Sequence, residues 1–175
     1  MRVITEPNYY EPHDKDVSVF LAGGITNCPN WQKKVIETIK NTYSIVTDSL
    51  VLFNPRRDNF PIHDKSAASQ QIEWEFDMIE KCNVFSMYFS SGESDQPICM
   101  YELGRNILRM QMRYPADWQD RIIVSVEDGY HRIQDVLIQT ELATNGKIPI
   151  NHMVNKEMCL ENHINDILKT FIRFR

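Results

Sequence analysis

Two carboxylates in this chain call for an explanation. Glu102 lies in Pro97-Ile98-Cys99-Met100-Tyr101-Glu102-Leu103-Gly104-Arg105-Asn106, where a polar loop gives way to an apolar helix with one acid near its start. Upstream, Val84–Phe89 reads as a buried strand and Ser90–Gln96 as a turn-rich loop, so the order is strand, loop, helix. In an open α/β sheet ligands bind at the carboxyl ends of the strands, and Glu102 falls one helical turn inside that edge. The bland alternative is an acid that only favours the N-terminal dipole of its helix. Glu75 is the second carboxylate, in the helical stretch Ser66–Lys81. There Ile72, Phe76 and Ile79 mark an apolar face, with Trp74 and Met78 as a second stripe. Glu75 shares the Ile72 and Ile79 side, whereas Glu73, Asp77 and Glu80 are expected to face water. It is either a salt-bridge partner at the stripe edge, for instance of Arg56 or Arg57, or a second active-site acid. Two carboxylates brought close together repel, which raises one pKa and makes that group a proton donor while the other stays a nucleophile.

The elements that must position them can be taken in order. Residues 1–16 are polar, carry Pro7, Pro12 and the pair Tyr9-Tyr10, and show no sustained periodicity; they read as an N-terminal arm before a single domain over 17–175. An arm of this length needs something to pack on, which predicts a homo-oligomer with the arm or the last helix near the interface. Val17–Ala22 is a strand that ends in Gly23-Gly24, followed by a helix over roughly 31–42. The glycine pair lets backbone approach a ligand, and the free N–H groups at the next helix start suit an oxygen-rich group. The standard dinucleotide and P-loop spacings are missing, so those two readings lack their residues. Leu50–Phe53 is a second strand, followed by Asn54-Pro55-Arg56-Arg57 and a polar loop to about Lys65, whose arginines suit a carboxylate or another anion.

Beyond the Glu102 helix, which Tyr114-Pro115 stops, the pattern predicts a strand over 121–126 and a helix over 131–143 closed by Asn145-Gly146. A short strand near 152–154 and a last helix over 158–171 complete the chain. Strands and helices alternate throughout. The expectation is α/β: a doubly wound, mostly parallel five-stranded sheet in flavodoxin-like order 2-1-3-4-5, whose switch point lies between strands one and three. His131 and His163 read as surface or helix-cap residues, and Trp31 and Trp74 as packing.

Composition narrows the function classes. The chain has 175 residues, enough for one domain with a real core, and 42% hydrophobic and 25% charged residues fit a soluble globular protein. The net charge is −5 and no basic run occurs, which argues against a nucleic-acid polymer as partner, because phosphate neutralisation needs clustered Lys and Arg. No stretch reaches the apolar length of a membrane span, and the start lacks the apolar core of a signal peptide, so the expected location is the cytoplasm. Cys28, Cys82, Cys99 and Cys159 form no CxxC pair; neither a metal site nor a disulfide framework is indicated.

Four segments in order, Phe20–Ile25 followed by Trp31-Gln32, then Asn54–Arg57, then Gln71–Glu75, then Pro97–Asn106, together resemble the nucleoside 2-deoxyribosyltransferase-like family over roughly residues 17–126. The resemblance implies the same flavodoxin-like layout and a small-molecule nucleoside or nucleotide as substrate, with no cofactor. It implies that Glu102 is the nucleophile, that Glu75 orients it or protonates the base, and that Asp95 contacts the sugar hydroxyls. The first strand carries Phe20 where some members have a tyrosine, so the nucleophile's hydrogen bonding must come partly from elsewhere. Breaking an N-glycosidic bond develops positive charge on the sugar, which a carboxylate beneath the anomeric carbon stabilises and then traps. Substrate contacts are expected from Gly23, Gly24, Asp95, Arg56 and Ser91. Two alternatives use the same residues or the same fold. One is a nucleoside 5′-monophosphate N-glycosidase, with Ser90, Ser91 and Ser94 available for the phosphate; the other is a non-enzymatic nucleotide-derivative binding domain, which the two intact carboxylates disfavour.

Overall fold

A computed structural model describes residues 1–43, 47–61, 63–64 and 66–175. Lys65, the expected end of the loop after the second strand, lies outside the described residues. The core is one parallel sheet of six strands. Its strands are β1 (Arg2–Ile4), β2 (Val17–Gly23), β3 (Leu50–Phe53), β4 (Val84–Phe89), β5 (Ile122–Glu127) and β6 (Ile150–Met153), in spatial order β1-β3-β2-β4-β5-β6. Strands β2 to β5 are buried along nearly their whole length, as expected of parallel strands covered on both faces. The five expected strands take the expected order, and the sixth, β1, adds to the edge beyond β3 with Val3 beside Leu52.

That sixth strand changes the reading of the N-terminal segment. Tyr10 is buried against Phe53 with ring centroids 5.7 Å apart, and its hydroxyl meets the Asp16 carboxylate, which also receives Arg2. Glu6 pairs with Arg57 at 2.5 Å, Lys81 with Glu11 at 2.6 Å, and Trp74 Nε1 donates a 2.8 Å bond to the Asn8 carbonyl. Residues 1–16 thus find on their own chain the packing they were expected to seek on a partner. Periodicity cannot reveal a three-residue edge strand, because alternation needs several residues to register.

Helices α1 (Trp31–Tyr43) and α5 (Lys156–Phe174) cover one face of the sheet; α2 (Ala67–Lys81), α3 (Pro97–Arg113) and α4 (Ile133–Thr144) cover the other. Alternate residues of β4 serve the two layers. Phe85, Met87 and Phe89 join the α2–α4 side, and Val84 and Tyr88 the α1–α5 side. Helix α3 starts where Gln96 turns the chain in the left-handed region (φ 47°) and Pro97 presets the first helical φ. Asn145 (φ 51°) closes α4, with the Gly146 N–H bonded to the Glu141 carbonyl at 2.9 Å.

Two expectations need correction. On α2 the stripe that faces the sheet is Ala67, Gln71, Trp74 and Met78, with Ile79 beside it, while Ile72 and Phe76 are exposed and the Arg105 guanidinium lies 4.3 Å from the Phe76 ring centroid. A helix with two apolar stripes can bury either, and the sheet takes the one with the tryptophan, whose N–H finds a carbonyl in the N-terminal segment. His163 is not a surface residue. It is fully buried on α5 between Ser86 Oγ and Ser125 Oγ, 2.7 Å from each, and lies edge-on to Trp31 and Tyr88. Burial pushes its pKa down to about 3, so it stays neutral and serves the core.

Candidate active site

The chain leaves the carboxyl ends of the neighbouring strands β2 and β4 for opposite faces of the sheet, α1 on one and α3 on the other, which makes this the switch point. A cleft of about 420 Å³ opens there. It is lined by the end of β2 (Phe20, Ala22, Gly23, Gly24), the loop after β3 (Pro55, Phe60), one side of α2 (Gln71, Ile72, Glu75), the loop after β4 (Ser94, Gln96) and the start of α3 (Ile98, Cys99, Glu102). Glu75 and Glu102 arrive from two helices and share this cleft, which separate sequence segments could not establish.

Glu102 is the sixth residue of α3, beyond the first turn, where the helix carries no acid. It is half-buried, and burial, the charge of Glu75 and the opposing charge of Arg105 act on its carboxyl. Among the described residues no donor bonds to its carboxylate. Burial, followed by Glu75, lifts its pKa to about 7. Glu75 is also half-buried and raised by burial, but Gln71 Nε2 donates a 2.8 Å bond to its Oε1 and opposes the rise. Both acids are raised by burial, and the Gln71 hydrogen bond favours the ionised form of Glu75 alone. The neighbouring Cys99 thiol is lifted to about 12, first by burial and then by Glu102, so it remains a neutral wall group.

The glycine pair lines the cleft, and close packing accounts for Gly23, which faces a backbone oxygen, while Gly24 is crowded by side chains. A Cβ on Gly23 (φ 153°) would lie 2.3 Å from the Tyr88 carbonyl oxygen and 2.6 Å from Trp31 Cζ2. One on Gly24 would lie 2.4 Å from Cys28 Sγ and 2.6 Å from Gln96 Oε1. Gln96 joins the two loops that flank the crevice: its Oε1 accepts from the Gly24 N–H at 3.2 Å and its Nε2 donates to the Ser90 carbonyl at 2.8 Å.

Three other residues expected at the site stand outside the cleft. Arg56 donates to the Pro29 and Cys28 carbonyls at 2.8 and 3.1 Å, tying the loop after β3 to the loop after β2. Ser91 donates from its N–H and its Oγ to Glu127 Oε2, each at 2.7 Å, while Tyr88 donates to the other carboxylate oxygen. Asp95 is largely exposed; its carboxylate meets His131, and its carbonyl accepts from Tyr130 Oη at 2.8 Å. Conversely, sequence reasoning missed Gln71, Gln96 and Phe60. Gln71 had a signal: it sits one turn before Glu75 on the same helix face. Gln96, directly before a proline at a helix start, had the weaker signal of a turn position.

Among the described residues no group of three His, Cys, Asp or Glu side chains is arranged to hold a metal, and no helix is long and apolar enough to cross a membrane.

The fold and the cleft define a doubly wound α/β domain with two raised carboxylates at its switch point. Residues 16–130 match the model of the nucleoside 2-deoxyribosyltransferase-like family, and the chain belongs to that family. No curated protein matches the chain.

Proposed function

We propose that this protein cleaves the N-glycosidic bond of a deoxynucleoside or nucleoside through a covalent glycosyl-Glu102 intermediate and passes the sugar to a second base. The observation that carries the reading is the pairing, in one cleft, of Glu75 with Glu102, whose carboxylate accepts no hydrogen bond among the described residues. A carboxylate that is to bond to a sugar must not be held by its own chain, and among the described residues the one side chain that donates to either acid, Gln71, is bonded to Glu75.

The raised pKa values suit the first half-reaction. Because both are raised, the pair can retain a proton nearer neutral pH than ordinary carboxyls do. As substrate enters, that proton passes from Glu102 to Glu75, and a Glu102 oxygen attacks the anomeric carbon. The electron pair of the C–N bond leaves with the base, which takes the proton from Glu75. The products are a glycosyl ester on Glu102, a neutral base and an ionised Glu75. In the second half-reaction a new base attacks the anomeric carbon, the ester oxygen leaves, and Glu75 accepts the incoming base's proton. The apolar wall of Phe20, Phe60, Ile72 and Ile98 suits the flat face of a base, as expected of a largely apolar small-molecule site.

The test is direct. Incubation with a panel of deoxynucleosides and a second free base should give an exchanged nucleoside by chromatography, together with a protein mass increased by one glycosyl group on the peptide carrying Glu102 when the acceptor is omitted. Release of free base at an equal rate without acceptor would convert the assignment to a hydrolase. No base release from any nucleoside or nucleoside 5′-monophosphate would remove the enzymatic reading.

A further inference from the structure

We propose that Gln71 is a positioning residue that decides which of the two cleft carboxylates holds their shared proton, keeping the charge on Glu75 and the proton on Glu102 until substrate arrives. The inference rests on the reading of Glu75 and Glu102 as the reacting pair, and it is carried by hydrogen-bond geometry. Gln71 lies one turn before Glu75 on α2, where i and i+4 side chains meet. It is nine-tenths buried, and its Nε2 uses one hydrogen on the Pro55 carbonyl and the other on Glu75 Oε1, each at 2.8 Å. Turning the amide over would set its oxygen against the Pro55 carbonyl, so the donor side is held toward Glu75. Gln71 Oε1 is buried and has no partner among the described residues, so the amide is oriented by what it donates to and by nothing else.

A fixed donor bonds more strongly to a carboxylate than to a neutral acid, which favours the ionised form of Glu75. Glu102 has no such donor. The other charged or titratable groups facing the pair do not reverse this asymmetry. Arg105 on α3 favours ionised Glu102, but less than burial and Glu75 oppose it, and its guanidinium is engaged by Glu80. Cys99 on α3 is held neutral, and Cys28, in the loop after β2, acts on Cys99. In the loop after β3, Arg56 is bonded to the Cys28 and Pro29 carbonyls and Arg57 to Glu6. Among the described residues Gln71 is the one hydrogen-bond donor to either acid. The Pro55 bond also ties this control to the cleft wall, because a ligand that shifts the loop carrying Pro55 and Phe60 shifts the amide with it.

The test is site-resolved titration of carbon-13-labelled glutamate carboxyls by NMR without substrate, with signals assigned through Glu75→Gln and Glu102→Gln. In the native protein the Glu102 carboxyl should carry the higher of the two midpoints. Gln71→Met, which keeps size and removes the donor, should move the Glu102 midpoint down by roughly one unit and hand the higher midpoint to Glu75. Gln71→Asn, whose shorter amide cannot bridge both partners, should do the same and serves if the methionine variant does not fold. In a Glu75→Gln background Gln71→Met should leave Glu102 unmoved. If both Gln71 variants leave the order and the midpoints as they are in the native protein, the proposal is overturned. The measurement needs no turnover, so an exchanged order in a protein inactive on every nucleoside would uphold the role of Gln71 while the transferase reading fell.

Discussion

Replacing Glu102 by glutamine should stabilise the protein at high pH while abolishing its chemistry, and the size of the effect follows from burial. The ordinary carboxyl value is 4.5, and in the folded chain Glu102 titrates near 7. Because the folded value is raised, the native state binds the proton more tightly than the unfolded chain does. Below about 4.5 both states are protonated and the group is neutral to stability; as pH rises to about 7 the buried acid must lose its proton and stability falls. A pKa unit corresponds to about 1.4 kcal/mol, so the rise from 4.5 to about 7 corresponds to about 3.5 kcal/mol at most and, with solvent screening at a half-buried group, to a loss on the order of 2–3 kcal/mol above pH 7. Glutamine has the same shape without the charge and should recover it. In a chain of this size that is roughly 4–12 °C in melting temperature. Thermal unfolding of the native protein and the variant by circular dichroism at pH 5 and pH 8.5 measures it. The expected result is near-equal melting at pH 5, a clear gain for Glu102→Gln at pH 8.5, and turnover down by several powers of ten at both. A melting temperature lowered equally at both pH values would show that Glu102 acts as a stabilising helix acid, and retained turnover would refute its assignment as nucleophile.

Further outcomes follow from the same geometry. The native kcat/KM should be bell-shaped in pH with its basic limb near 7, where the pair loses the one proton that the first half-reaction uses; a rate that rises steadily to pH 9 would contradict that proton inventory. Glu75→Gln should lower turnover by about 10²–10⁴-fold on ordinary bases, and much less on a nucleoside whose base leaves without protonation, as paired initial-rate assays would record. Gly23→Ala should destabilise by roughly 2 kcal/mol or more in urea unfolding, since its Cβ would sit 2.3 Å from a backbone carbonyl oxygen that cannot yield as a side chain can. Removing residues 1–16 uncovers the edge of β3 and takes away the carbonyl to which Trp74 donates, so the shortened chain should melt lower and aggregate, as light scattering on heating would detect.

The amino-acid sequence by itself determined the alternation of five strands and five helices, and with it the switch point where a ligand site belongs. Hydrophobic runs such as Val84–Phe89 and stops such as Tyr114-Pro115 are local, and local signals can be read one segment at a time. It also singled out Glu75 and Glu102 as acids on otherwise apolar helices. Tertiary structure alone decided the rest, because each remaining question concerned what lies across a gap. Which α2 stripe faces the sheet depended on where Trp74 could place its N–H, and that place is a carbonyl 66 residues earlier in the chain. Arg56, Ser91 and Gln96 looked alike as polar loop residues, yet one clamps two loops, one seals Glu127, and one forms the cleft wall. His163 reads as a surface residue until two serines on neighbouring strands surround it. The raised pKa of Glu102 belongs to no single segment: it is set by the burial that the assembled cleft imposes and by the charge of Glu75, which only the fold brings to the same cavity.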